Sequence, residues 1–310
     1  MAAAATTPWR ITFDRAAQIK AALVGVAFVG TFWTQLNFLP DPHYGALVYA
    51  WLHEADWSHG PIIPVFSAYL AYLSWDKIRR CRIEHTWVGL VLMLVSLTVY
   101  LYSLFPAGLR FTALQQLAMM VCLLGVIIYL CGLPVMRYAW LPWLYLFFAI
   151  PLPKEIYVRL TDPLRRMAAV VATWVLSLDS ELQIARIGSM LEFTYRGKPG
   201  TIGVADACSG MRSTITLCAL GAAVTFMTER PWWQRAVMLL SCVPIATFCN
   251  FIRVSTTCWL HIYVDPKYAT GTYHMTLGLV VLAIATVIFM GLGWVLDNLF
   301  IEASESERAA

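Results

Sequence analysis

Charged side chains are scarce in this chain. Of its 310 residues only 13% are Asp, Glu, Lys or Arg, whereas 60% are hydrophobic. This balance excludes an ordinary water-soluble domain, in which about a quarter of the residues are charged. The formal net charge is only +4, and the basic residues cluster between apolar runs. We therefore expect a membrane protein without a nucleic-acid partner.

Paired cysteine motifs are missing as well. The chain has eight cysteines but no C-x-x-C pair, so the sequence indicates neither a zinc ribbon nor a disulfide framework. Most of the cysteines lie inside apolar runs, where they behave as small hydrophobic residues. His53, Glu54 and His59 lack the spacing of a zinc protease motif, and we expect a structural role for them. We predict no metal and no cofactor.

Uncharged runs long enough to cross a bilayer, about 17 to 25 residues, recur along the chain. The fold class that we predict is an all-α polytopic membrane protein, formed by a single integral membrane domain over 1–310. The first apolar run has no A-x-A cleavage site, so we interpret it as a signal anchor. The eight predicted spans lie near residues 20–40, 58–76, 87–106, 112–133, 138–153, 213–228, 236–262 and 274–296.

The orientation of the chain is predicted from its basic residues. The strongest basic cluster lies in 77–82 and is expected in the cytoplasm under the positive-inside rule. The N-terminus (1–18) and the acidic C-terminal tail (298–310) are then cytoplasmic too. Counting spans from the cluster puts segment 154–207 at the outer face of the membrane.

The outer segment is predicted to contain a helix and a short β-hairpin. We interpret the helix, over 156–180, as amphipathic and interfacial. Its basic residues favour the alternative that it crosses the membrane, which would put Cys208 on the cytoplasmic side. The hairpin is predicted to pair strand 187–195 with 201–204 through the turn residues 196–200.

Three reactive side chains on three different helices are expected at one membrane depth. Cys208 stands in a polar, glycine-containing turn just before the span over 213–228. Arg253 follows seventeen uncharged residues, Ala236 to Ile252, which rise about 25 Å at about 1.5 Å per residue. His274 opens the last span. The span count therefore predicts that all three side chains lie near the outer face.

These residue types are typical of cysteine acyl transfer. A thiol is mostly protonated at pH 7, and at a membrane interface it needs a cation to stabilise the thiolate. Arg253 would supply that charge or bind the oxyanion of a tetrahedral intermediate. His274 would carry the thiol proton to the leaving amine. Asn250, at i−3 from Arg253, would orient the guanidinium, and Arg212, one turn after Cys208, would bind a substrate carboxylate.

Other interpretations stay open at this point. An arginine near a helix end commonly extends to the lipid headgroups, and a histidine at a helix start is commonly an interface residue. A serine protease that uses Ser209 with His274 is a second interpretation, although Gly-x-Ser-x-Gly is absent. A third is a transporter or exopolysaccharide-assembly subunit without peptidase activity, in which Arg212 and Arg253 line an anion path.

Five pieces of the sequence match one family. The chain resembles the exosortase/archaeosortase group of membrane transpeptidases from about residue 55 to 295. The Cys-Ser-Gly-x-Arg piece together with Asn-x-x-Arg is the most specific part of the match. The matching pieces are Ala207-Cys208-Ser209-Gly210-Met211-Arg212-Ser213, Asn250-Phe251-Ile252-Arg253-Val254, His274 before a glycine-containing span, Ser58-His59-Gly60-Pro61-Ile62-Ile63-Pro64, and Ile150-Pro151-Leu152-Pro153.

The resemblance implies an enzyme of the bacterial inner membrane whose active site faces the periplasm. Its partners would be membrane lipid and substrate proteins that end in a sorting signal of the PEP-CTERM type, with a short motif, a transmembrane helix and a basic tail. It would cleave near the motif through a cysteine acyl-enzyme and transfer the protein to an acceptor, in a setting of exopolysaccharide production. By position Cys208 is the nucleophile, Arg253 the catalytic arginine and His274 the third member. The oligomeric state stays open.

Overall fold

The fold is mostly helical. The structure, a computed structural model, describes residues 15–38, 46–84, 86–104, 111–204, 210–269 and 271–299. They divide into two compact units, Met1–Pro153 and Lys154–Ala310. The boundary between the units falls where the outer segment was predicted to begin, and the prediction of one integral membrane domain over 1–310 stays a prediction.

The first unit contains eight helices in the part of the chain that the structure describes. A buried cluster that includes Phe32, Leu47, Tyr100 and Met119 forms its core. A buried amide pair crosses this core, since Gln35 Nε2 donates to Gln115 Oε1 at 2.6 Å. The helices are α1 Arg15–Thr31, α2 Trp33–Leu36, α3 Leu47–His53, α4 Ile62–Leu73, α5 Trp75–Ile78, α6 Trp87–Leu104, α7 Thr112–Cys131 and α8 Leu133–Tyr145, with 3₁₀ turns at Ala55–Trp57 and Leu146–Ala149.

Two sequence pieces singled out above are neighbours in this unit. His59 Nε2 lies 3.2 Å from the carbonyl oxygen of Phe148, just ahead of the Ile-Pro-Leu-Pro piece. Trp51 Nε1 donates to the carbonyl oxygen of Ala149 at 2.7 Å, and its ring fills the space where a side chain at Gly60 would stand. The fold therefore joins the His-Gly-Pro turn to the end of the first unit.

The second unit combines four helices with a small antiparallel sheet. Its strands are ordered β1-β2-β3. One face of the sheet packs its leucine and isoleucine side chains on α9 and on the C-terminal part of α11, including Ala168 and Val254. The elements are α9 Lys154–Leu176, β1 Leu182–Ile187, β2 Met190–Tyr195, β3 Lys198–Gly203, α10 Met211–Met227, α11 Trp232–Tyr263, a 3₁₀ turn at Pro266–Ala269, and α12 Gly271–Leu299.

The predicted hairpin was only partly right, because the sheet has three strands. The stretch predicted as one strand over 187–195 contains a turn, where Gly188 has φ of +64°. The predicted turn over 196–200 is shorter, and β3 begins at Lys198. Arg196 and Gly197 both have positive φ, 50° and 76°. A two-residue hairpin loop of type I′ requires φ > 0 at both positions.

The apolar helices show that this is a membrane protein, but eight spans are not confirmed. Among the described residues, four helices are long and apolar enough to cross a membrane, or five if the helices before and after Pro151–Pro153 count as one bent span. Three of the predicted runs correspond instead to shorter helices. The described part of the run near 20–40 contains α1 and α2, the run near 58–76 contains α4 and the start of α5, and the run near 213–228 corresponds to α10. The four helices are Trp87–Leu104, Thr112–Cys131, Trp232–Tyr263 and Tyr273–Leu299.

Candidate functional site

A polar contact joins the two longest helices of the second unit. Arg253 lies in α11 and His274 lies in the first turn of α12, and Arg253 Nη2 is 2.8 Å from His274 Nε2. Both residues are half-buried. The contact forms where the first turn of α12 packs beside α11, about three helical turns before α11 ends at Tyr263. The structure thus brings together two of the residues that the sequence analysis singled out.

The hydrogen bond from Arg253 indicates which nitrogen of His274 carries the proton. Arginine has five N–H donors and no acceptor, so Nε2 of His274 is the acceptor in this hydrogen bond. A neutral imidazole that accepts at Nε2 carries its proton on Nδ1. The geometry therefore corresponds to a neutral His274 whose ring lone pair is directed at Arg253.

Gly278 lies beneath the same guanidinium and was not singled out from the sequence. A Cβ atom at Gly278 would stand 3.3 Å from both Cζ and Nη2 of Arg253. His274 and Gly278 are four residues apart, so they lie on one face of α12, one turn from each other. That spacing was the available signal, but sequence alone does not say which helix faces the glycine.

Asn250 contacts the start of α10. It is 3% exposed, and a Cβ atom at Gly210 would stand 2.7 Å from its Nδ2. Its Oδ1 is buried without a hydrogen-bond partner, and within the described ranges no hydrogen bond joins Asn250 to Arg253. The Asn250 side chain thus contacts the residue before α10, and its predicted role in orienting the guanidinium stays a prediction.

Gly210, the residue just before α10, has a conformation that favours glycine. Its φ is +67°, in the left-handed region that other residues rarely adopt. Its carbonyl oxygen accepts the backbone N–H of Thr214 at 3.0 Å and the Thr214 and Ser213 hydroxyls, both at 2.9 Å. The Gly210 carbonyl oxygen thus stabilises the first turn of α10, and the Asn250 side chain packs against Gly210.

The remaining predicted site residues are Cys208, Ser209 and Arg212. Cys208 and Ser209 lie outside the described residues. Arg212, in the first turn of α10, is half-buried and close enough to His274 for its charge to act on the imidazole, as that of Arg253 does. Three helices therefore contribute cationic or basic groups to one place.

A second polar cluster lies at the other ends of α11 and α12, away from Arg253 and His274. Arg230 Nη2 donates to Asp297 Oδ2 at 2.6 Å, and Gln234 Nε2 donates to the carbonyl oxygen of Leu296 at 3.2 Å. From Asp297 back to His274 the helix rises about 34 Å at about 1.5 Å per residue, close to the thickness of a bilayer's apolar core. The polar groups of this unit thus mark two ends of an apolar bundle.

Metal-binding geometry is absent from the described part of the chain. No group of three or more His, Cys, Asp or Glu side chains there could hold a metal ion. His53 stacks on Tyr49, with ring centroids 4.1 Å apart. Burial, and then the nearby charge of Asp56, raises the pKa of the Glu54 carboxyl. The predicted absence of metal and cofactor stays a prediction.

The fold and the site define a class of protein. It is a polytopic membrane protein in which an arginine–histidine contact lies near the end of an apolar helix bundle. The model of the transmembrane exosortase family (Exosortase_EpsH) matches residues 51–291, and the chain belongs to that family. Neither the search of curated proteins nor the search of solved structures gave a match.

Proposed function

We propose that this exosortase family member is a membrane cysteine protease and transpeptidase. It cleaves C-terminal sorting signals of the PEP-CTERM type through an acyl-enzyme on Cys208 and transfers the protein to an acceptor. The observation that carries the proposal is the Arg253–His274 contact at 2.8 Å. A fixed cation held by a polar partner at the end of an apolar bundle is costly to bury unless it meets an anion. A thiolate or an oxyanion is such an anion.

Chain connectivity supports Cys208 as the nucleophile. Two residues of chain span at most about 7 Å, so the Cα atom of Cys208 is within that distance of the Gly210 Cα. Gly210 is in contact with Asn250, which lies one helical turn before Arg253 on α11. Cys208 is therefore only two residues along the chain from a contact with the helix that carries the guanidinium.

The proposed chemistry has two steps. The Cys208 thiol first releases its proton to water, and the thiolate attacks the scissile carbonyl carbon. The C–N bond breaks, the leaving amine takes a proton from water, and a thioester remains on the sulfur. An acceptor nucleophile then attacks the thioester carbonyl and releases the sulfur as thiolate. Arg253 stabilises the negative charge on sulfur and on the tetrahedral oxyanion. Arg212 binds a carboxylate of the substrate.

The proposed orientation directs the site toward the periplasm. Arg230 and Arg235 lie at the end of the bundle remote from Arg253, and basic residues favour the cytoplasmic side of the inner membrane. The substrate's basic tail would then stay in the cytoplasm while its motif meets the site at the outer face. This orientation requires α9 to lie at the interface.

A processing assay tests the proposal. The substrate is a tagged protein from the same genome that ends in a short motif, an apolar helix and a basic tail. We expect Cys208→Ala to abolish processing while the protein remains in the membrane. Cys81→Ala, a cysteine outside the site, should process normally, and Ser209→Ala should retain activity. Full processing by Cys208→Ala would refute the proposal, and loss of activity only in Ser209→Ala would favour the serine mechanism.

A further inference from the structure

We infer that His274 positions the guanidinium of Arg253 and is not the base that takes the thiol proton. This inference rests on the proposed function, because it assigns a role inside the same site. It corrects the simplest expectation for a cysteine enzyme, in which the histidine deprotonates the nucleophile. Two independent features of α12 carry it: the hydrogen bond that His274 accepts, and the space that Gly278 leaves.

A general base needs a lone pair that faces the proton it removes. The ring lone pair of His274 is at Nε2, where it accepts the Arg253 Nη2 hydrogen bond at 2.8 Å, and Nδ1 carries the proton. A second proton on the ring would create an imidazolium at hydrogen-bond distance from a guanidinium. Two like charges so close in a poorly solvated site repel strongly. The observed arrangement therefore favours a neutral, accepting His274.

Gly278 forms the other side of the place where the guanidinium lies. We call His274 and Gly278 together the guanidinium seat. A Cβ atom at Gly278 would stand 3.3 Å from Cζ and 3.7 Å from Nε of Arg253, whereas carbon atoms in contact ordinarily stand about 3.5–4.0 Å apart. Gly278 lies inside a helix, where glycine is a poorer helix former than alanine. The space it leaves for the guanidinium accounts for a glycine at this position.

Another donor of Arg253, its Nε, does not bond to His274. Nε of Arg253 is buried and has no hydrogen-bond partner in the part of the chain that the structure describes. A buried N–H donor without a partner is costly, so this group is suited to an anion that arrives during the reaction. His274 and Gly278 thus orient Arg253 through its Nη2 side, and Nε is available to the thiolate or the oxyanion.

Two substitutions of His274 separate positioning from proton transfer. Glutamine can present its amide oxygen as an acceptor in place of Nε2 but takes no proton near neutral pH, whereas alanine offers neither function. We expect His274→Gln to process substrate within about tenfold of the wild type, and His274→Ala to lose about 100-fold, the cost of a misplaced catalytic group. A His274→Gln protein no more active than His274→Ala would overturn the inference.

A matched glycine series tests the other side of the seat. Gly291 lies on the same helix with no atom near its Cβ position, so Gly291→Ala and Gly291→Val measure only the effect of the side chain on the helix. We expect Gly278→Ala and Gly278→Val to show a graded loss of processing and slower alkylation of Cys208 by iodoacetamide at pH 7, with the valine variant worse. Equal behaviour of the two series would overturn the inference.

A spectroscopic measurement keeps this test independent of catalysis. In protein labelled with ¹⁵N-histidine, the His274 signals are those missing from His274→Gln. At neutral pH we expect a neutral ring with its proton on Nδ1, whereas a proton on Nε2 or an imidazolium would overturn the inference. If Cys208→Ala still processed substrate, the proposed function would fail while the tautomer result stood. If Cys208→Ala were inactive but His274→Gln matched His274→Ala, only the positioning role would fail.

Discussion

Gly210→Ala is the sharpest test of the contact between Gly210 and Asn250. Gly210 has φ of +67°, and a non-glycine residue in this left-handed region costs roughly 1–2 kcal/mol. The new methyl group would also stand 2.7 Å from Asn250 Nδ2 and 2.8 Å from its Cγ. Overpacking of this kind costs about 1–3 kcal/mol. We expect a total destabilisation of about 2–5 kcal/mol.

Gly188→Ala is the matched control, because it separates backbone strain from collision. Gly188 has nearly the same φ, +64°, and no atom within 4 Å of its Cβ position. Gly188→Ala should lose only about 1–2 kcal/mol of stability, from backbone strain alone. Thermal unfolding in detergent, followed by tryptophan fluorescence, compares the two variants. At about 2–4 °C per kcal/mol, Gly210→Ala should unfold several degrees below Gly188→Ala.

A double variant tests whether Asn250 is the colliding partner. Asn250→Ala alone should cost little, because its Oδ1 is buried without a hydrogen-bond partner in the described part of the chain and so contributes little stability. Combined with Gly210→Ala, it removes the atoms that collide and should restore about 1–3 kcal/mol of the loss, an ordinary coupling for residues in contact. A Gly210→Ala protein as stable as Gly188→Ala, or one that Asn250→Ala does not rescue, would refute this account of the Gly210–Asn250 contact.

Two further predictions concern groups away from the site. Asp297→Asn removes the half-exposed ion pair with Arg230, in which the N–O distance is 2.6 Å. It should lower the free energy of unfolding by about 1 kcal/mol in low salt and by less in high salt. Asp265→Asn removes a looser, exposed pair with Lys267 and should cost less stability, so equal losses in the two variants would contradict the reasoning. The Tyr263 hydroxyl donates to the Asp179 carboxylate at 2.5 Å and lowers the pKa of that carboxyl. The stability that this hydrogen bond contributes is complete above the carboxyl's unfolded pKa of about 3.9. It is lost as the pH falls through the lower pKa of the folded state. Tyr263→Phe should therefore be less stable than wild type near pH 7, with a difference that vanishes in acid; a difference independent of pH would refute this.

The spans were predictable where uncharged runs were long. Helices α6, α7, α11 and α12 follow runs of that kind, because apolar length is a property of the sequence alone. The rest of the predicted spans depended on where a helix begins and ends inside an apolar stretch. The run near 58–76 illustrates this, since it contains α4 and α5 with a break at Ser74.

The sheet shows why a single alternating pattern can mislead. The stretch over 187–195 has apolar residues at strand spacing, but the pair Gly188–Ser189 forms a turn inside it. A glycine in an apparent strand is compatible with a bulge or a turn, and only the pairing partner decides between them. That partner, β1, was missed because it follows a helix closely and includes the polar residues Gln183 and Arg186.

The meeting of Arg253 with His274 was predictable from residue counts, but the contacts around the helix axes were not. Helix rise puts Arg253 and His274 at similar depth from the residue count alone. The rotation of each helix depends on packing, so the contact of Asn250 with Gly210 and that of Arg253 with Gly278 could not be predicted. The contact of Arg253 with Gly278 is one of the two observations on which the proposed positioning role of His274 rests.

The most direct test of the central claim is chemical capture of the acyl-enzyme on Cys208. The protein is incubated with a sorting-signal substrate, quenched in acid and digested, and the peptide that contains Cys208 is identified by mass spectrometry. The account predicts a substrate thioester on that cysteine, which hydroxylamine removes and Arg253→Ala prevents or greatly reduces. An adduct on Ser209, or processing that continues with no adduct on Cys208, would contradict the account.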